Sequence, residues 1–106
     1  MKRGEIWTLR DDGYASKARP VVIIQSDEVN IFDSIILCLF TTFESNLITT
    51  RVRISADLSN GLRKDSYVMT EKIITVDKRE LSERIGMLSA SQMKDIADQL
   101  VVVLGI

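Results

Sequence analysis

Lys17-Ala18-Arg19-Pro20-Val21-Val22-Ile23-Ile24-Gln25-Ser26-Asp27 describes a buried strand with a cation fixed at its entrance. Four consecutive branched apolar residues fit an extended segment covered on both faces. Pro20 has no N–H to give, so it belongs at the start of the strand, where no ladder bond is lost. It also biases Arg19 toward extended geometry, which holds the guanidinium on a stiff element. Read alone, Arg19 is a surface arginine at a strand end.

Working outward, Ile6-Trp7-Thr8-Leu9 is a short strand followed by a turn-forming loop from Arg10 to Ser16. Ser34 to Thr41 is a second solid apolar strand that ends on two hydroxyls, Thr41 and Thr42. Thr50 to Ile54 alternates, with Val52 and Ile54 on one side and Arg51 and Arg53 on the other, as in a strand with one wet face. Ser55 to Asp65 is a loop whose sharpest turn signal is Asn60-Gly61. Ser66 to Val76 reads as one or two strands, Asp77 to Glu80 as a single helical turn with capping-box spacing, and Ile85 to Leu88 as a last short strand. Ser89 and Gln92 form a capping box for a terminal helix with Met93, Ile96, Ala97, Leu100, Val103 and Leu104 on its core-facing stripe. Val101-Val102-Val103 makes that helix apolar nearly all round, which predicts burial from more than one side. The sum is a mostly β fold, a small antiparallel barrel with a C-terminal helix packed on it, spanning residues 1–106 as one domain.

The chain has 106 residues, enough for one core, with 14 basic against 15 acidic residues and a net charge of −1. That balance argues against a nucleic-acid coating protein but allows a local basic groove. The single cysteine, Cys38, lies inside an apolar run and reads as a buried hydrophobe, so no disulfide framework is implied. No secretory leader follows Met1-Lys2-Arg3, and no apolar run approaches a membrane span, so a cytoplasmic protein without membrane contact is expected. The absence of histidine removes the commonest general base and the commonest metal ligand together.

Taken in order, Arg3-Gly4-Glu5-Ile6-Trp7, Tyr14 to Ile23, Gln25-Ser26-Asp27 and a strand ending in Thr41 resemble the MazF/PemK family of mRNA interferase toxins. Asn60-Gly61-Leu62-Arg63, Ser66, Val68 to Ile73 and Arg84 to Ser89 extend the likeness over essentially the whole chain. The resemblance implies an SH3-like barrel working as a homodimer. It implies a ribosome-independent endoribonuclease that cuts single-stranded mRNA at short sequences, held inactive by a cognate, MazE-like antitoxin. It makes Arg19 and Thr41 the catalytic pair. The loop before Arg19 departs from the Ser-Glu-Gln-Gly-type segment of better-known members, and Glu71-Lys72-Ile73-Ile74 stands where many carry E-Q-x-R, so a cleavage sequence does not transfer.

Without histidine or a metal cluster, the easiest route to RNA cleavage is attack by the neighbouring 2′-OH, giving a 2′,3′-cyclic phosphate and a 5′-OH. This needs a proton acceptor, a proton donor and cations for the phosphorane charge, with no cofactor and no metal. Arg19 suits charge stabilisation, because its fork matches phosphate oxygens and it stays charged. Thr41 can orient the scissile phosphate or simply cap a strand end. Glu71, the acid in the middle of its strand region, is the candidate base, or else a salt-bridge partner of Lys17 or Lys72. Lys17 and Lys72 are candidate phosphate clamps, and Tyr14 a candidate base-stacking residue. Ser16 and Thr42 complete the RNA-binding set with Ser66, for which a turn cap is the simpler reading. Trp7 reads as core or dimer interface. Two other classes compete: a non-catalytic gyrase poison on the same fold, and a non-catalytic RNA-binding barrel. Against the first, the chain ends Leu104-Gly105-Ile106 without the tryptophan of the Trp-Gly-Ile ending such toxins carry.

Overall fold

The computed structural model describes residues 1–10 and 18–106. Among the described residues, six strands and one helix follow in chain order. They are β1 (Glu5–Leu9), β2 (Arg19–Ile23), β3 (Ser34–Thr41), β4 (Val52–Ile54), β5 (Ser66–Asp77), β6 (Leu81–Met87) and α1 (Ala90–Leu104), with a short 3-10 turn (Lys78–Glu80) between β5 and β6. The strands form one antiparallel sheet in the order β4-β5-β3-β2-β1-β6.

Among the described residues the ladder stays open, with β4 and β6 at its edges, so the barrel expected from sequence is not closed by strand pairing there. The sheet nevertheless curls until the β4–β5 connector abuts β6. Met87 N–H donates to the Ser59 carbonyl at 2.9 Å, and the bare Gly86 lies against the Asn60 backbone. Asn60 is buried and fastens this connector. Its amide donates to the Ser55 carbonyl at 2.9 Å, and its Oδ1 accepts from Asp57 N and Leu62 N at 3.1 and 3.0 Å. The buried backbone that closes the gap is thus hydrogen-bonded through one side chain.

The branched run Val21-Val22-Ile23-Ile24, in β2 and one residue beyond it, is buried on both faces, as its composition predicts. Val22 and Ile24 join Ile6, Cys38, Ile54, Val68, Met93 and Ile96 in one core. Val21 and Ile23 join Ile35, Leu37 and Leu81 in a second, with Trp7, Leu9, Leu39, Ile74 and Val76 packed around it. Helix α1 lies against β4 and β5. Its capping box is present, with Ser89 Oγ accepting from Gln92 N at 3.1 Å and Gln92 Oε1 accepting from Ser89 N at 2.9 Å. Its N-terminal half carries the burial through Met93 and Ile96, while Val101, Val102 and Leu104 are exposed in the single chain, so burial from several sides is not observed there. No helix among the described residues is long and apolar enough to cross a membrane.

Candidate nucleic-acid site

The sheet register brings the two ends of β2 and β3 together. Val21 faces Leu39, Val22 faces Cys38 and Ile23 faces Leu37. In an antiparallel ladder each step along one strand is a step back along the other, so the same register carried two residues on sets Arg19 across from Thr41. Opposed residues share a face with their Cβ atoms about 5 Å apart. The arginine and the threonine singled out in sequence, 22 positions apart in the chain, therefore rise from one side of adjacent strands.

Thr41 Oγ1 accepts a hydrogen bond from Phe43 N at 3.1 Å. The strand-end cap foreseen as the simple reading is thus present, and it leaves the hydroxyl proton to be donated elsewhere. Thr42 is exposed just beyond it.

Glu71 and Lys72 sit on an interruption of β5. Cys38 pairs with Ile73, but the next residue, Leu39, pairs with Met69, so Thr70, Glu71 and Lys72 have no partner on β3. Such bulges re-aim side chains away from the pleat. Thr70 points inward, fully buried, and its hydroxyl donates to the Thr50 carbonyl at 2.7 Å, while Glu71 and Lys72 are exposed. The bulge is level with Cys38 and Leu39, two residues and roughly 7 Å short of Thr41.

Among the described residues Glu71 pairs with Arg51, a partner the sequence does not single out, and not with Lys72; Lys17, the other expected partner, lies outside the described residues. Arg51 Nη2 donates to Oε2 at 2.6 Å, and its Nε lies 3.2 and 3.3 Å from the two carboxylate oxygens. The Arg51 hydrogen bonds hold the Glu71 carboxyl below the usual carboxylate range, against a smaller opposing effect of burial. Oε1 is the less engaged oxygen. Behind the bulge, burial pushes the Cys38 thiol up to about 12, with the Glu71 charge adding to it, so this cysteine is no nucleophile at neutral pH.

Ser66 is buried and its hydroxyl donates to the Lys64 carbonyl at 2.9 Å, which is the turn-cap role and turns it away from the exposed residues. Trp7 packs half-buried on the second core and donates its indole N–H to Glu5 Oε1 at 3.0 Å. Tyr14, Ser16 and Lys17 lie outside the described residues. No group of three or more His, Cys, Asp or Glu side chains placed to hold a metal ion occurs among the described residues.

Two residues beside the site were not singled out from sequence. Tyr67 pairs with Thr41, and Arg53 pairs with Tyr67. Only the register reveals them, because strand alternation tells which face a residue takes and not what stands opposite.

The chain matches the family described as PemK-like, MazF-like toxin of type II toxin-antitoxin system over residues 2–104. It is 36% identical over 107 residues to "Probable endoribonuclease MazF" of Mycolicibacterium smegmatis, covering 100% of this chain and 98% of the relative. To "Endoribonuclease MazF" of Staphylococcus saprophyticus it is 33% identical over 89 residues, covering 83% of this chain and 74% of that one. Among solved structures it resembles an endoribonuclease in complex with its cognate antitoxin from a mycobacterial species. The TM-score is 0.83 at 26% identity, over 100% of this chain and 96% of the other.

Proposed function

The chain belongs to the PemK-like, MazF-like toxin family, and from that premise we propose that it is a sequence-specific, ribosome-independent endoribonuclease that cuts single-stranded mRNA. The observation that carries this reading is the β2–β3 register, with Val21 opposite Leu39, whose continuation by two residues brings Arg19 and Thr41 to one face. The names of its relatives support the activity, and the antitoxin in the similar mycobacterial complex supports a cognate antitoxin as the partner that neutralises it. The working unit is a homodimer in the cytoplasm.

In this mechanism the 2′-OH attacks the adjacent phosphorus, the P–O5′ bond breaks, the departing O5′ takes a proton from water, and the products are a 2′,3′-cyclic phosphate and a 5′-OH. Arg19 neutralises the charge that builds on the phosphorane oxygens. Thr41, whose oxygen already accepts from Phe43 N, turns its proton to a non-bridging phosphate oxygen and fixes the phosphate in line. Glu71 accepts the 2′-OH proton through Oε1, the oxygen that Arg51 engages less closely. Lys72 beside it holds phosphate as a point charge.

The test is incubation with a long single-stranded RNA in EDTA. Discrete fragments with 5′-OH ends are expected from the wild type, and Arg19→Ala is expected to cut at least a hundredfold more slowly, the usual scale for removing one charge-stabilising group. Supercoiling inhibition without RNA cuts would instead indicate a gyrase poison. Cleavage by Arg19→Ala within a few fold of wild type would sink the assignment of the cation.

A further inference from the structure

Arg19 and Thr41 are two members of a longer row. Thr41 pairs with Tyr67 on β5, and Tyr67 pairs with Arg53 on β4. Opposed residues of antiparallel strands share a face, so Arg19, Thr41, Tyr67 and Arg53 rise side by side from four adjacent strands. At about 4.8 Å per strand the row is roughly 14 Å long.

The flanks of Tyr67 fix its direction. Ser66 and Val68 on either side are buried in the core, so strand alternation sends the half-buried tyrosine to the face of Thr41. Arg53 is anchored at the end of the row. Its Nη2 donates to Asp65 Oδ2 at 2.8 Å and its Nη1 to Ser55 Oγ at 2.9 Å, while about half of the side chain remains exposed. A phosphate can therefore approach a guanidinium already held in position.

A flat aromatic between two cations matches a single-stranded nucleic acid. The backbone calls for positive charge at intervals, and an unpaired base calls for a face to stack on. Resting on the endoribonuclease reading, we propose that Tyr67 is the base platform of the RNA track, stacking the nucleobase beside the scissile phosphate, and that Arg53 takes a phosphate further along the strand. Tyr67 thus contributes to substrate selection rather than to proton transfer.

The experiment uses the full chain with Tyr67→Phe and Tyr67→Leu, the leucine keeping apolar bulk and burial where alanine would leave a hole. For cleavage of a single-stranded transcript, Phe is expected to keep KM within about twofold. Leu is expected to raise KM roughly tenfold or more with kcat little changed, the scale of one lost base stack. A mixed-sequence DNA oligonucleotide carrying 2-aminopurine, uncuttable for want of a 2′-OH, gives the direct signature. Wild type and Phe are expected to quench its fluorescence on binding, and Leu not to. If Leu matches wild type in KM and quenching, the proposal is overturned. If Leu loses only inhibition by the antitoxin, Tyr67 belongs to a protein contact and the proposal is again overturned. A wild type that does not cut RNA would instead sink the endoribonuclease reading, and the quenching comparison would still decide the role of Tyr67.

Discussion

A methyl group at Gly86 would stand 2.2 Å from both the carbonyl carbon and the oxygen of Asn60, a distance no real side chain tolerates. Asn60 cannot yield easily, because its Nδ2 donates to the Ser55 carbonyl, its backbone N–H to Asp57 Oδ1, and its Oδ1 accepts from Asp57 N and Leu62 N. Gly61 answers from the other side: its φ is +70° and a Cβ there would lie 2.1 Å from the Ile85 carbonyl oxygen. The gap between β4 and β6 is thus closed by two backbones in near contact. Gly86→Ala is expected to destabilise the protein by about 3 kcal/mol or more, the scale of severe overpacking. Urea unfolding checks it, and a loss below about 0.5 kcal/mol would show that the connector can move. The sequence signalled half of this arrangement. Asn60-Gly61 announced a turn, but nothing in Ile85-Gly86-Met87 says which backbone presses on the glycine.

On the scale of elements, the apolar strands were the most legible, and for a plain reason. Solid branched runs such as Ser34–Thr41 admit one reading, whereas Leu81-Ser82-Glu83-Arg84 is a polar edge that strands tolerate only because one side of it is wet. Sequence therefore caught only the end of β6. The bulge in β5 was illegible because a register shift leaves no composition signal. It matters because it carries Glu71 out to Arg51. With Arg51 in place the carboxyl titrates below its ordinary range, so Glu71 stays ionised, and competent to accept a proton, to lower pH than an ordinary glutamate. Arg51→Ala is expected to move the acidic limb of the kcat/KM profile to higher pH, and Glu71→Gln to abolish that limb. An unchanged profile in both would remove Glu71 as the base. The same depressed carboxyl favours the folded state above the unfolded glutamate range, and that contribution fades as pH falls through the folded value. For a pair with 14% and 32% side-chain exposure it stays under about 1 kcal/mol.

Across the whole molecule, the net charge of −1 and a locally basic face make a joint statement about how RNA is held. A coating protein gains affinity from many phosphates at once, and its binding collapses with salt. Here the row that carries the site offers Arg19 and Arg53, with Lys72 exposed on the bulge of β5 and Lys17 close by in sequence, while Asp65 and Glu71 already answer Arg53 and Arg51. Three or four phosphates contacted per site give a slope of log affinity against log salt of roughly −2 to −3 for a single strand. Such a slope leaves room for base contacts to dominate, as short-sequence cleavage requires. The measurement is binding of the uncuttable single-stranded oligonucleotide at graded salt concentrations. A slope steeper than about −5 would mean that RNA spreads over charge beyond this row. A slope near zero would mean that the cations of the face do not touch the backbone, and the track from Arg19 to Arg53 would have to be abandoned.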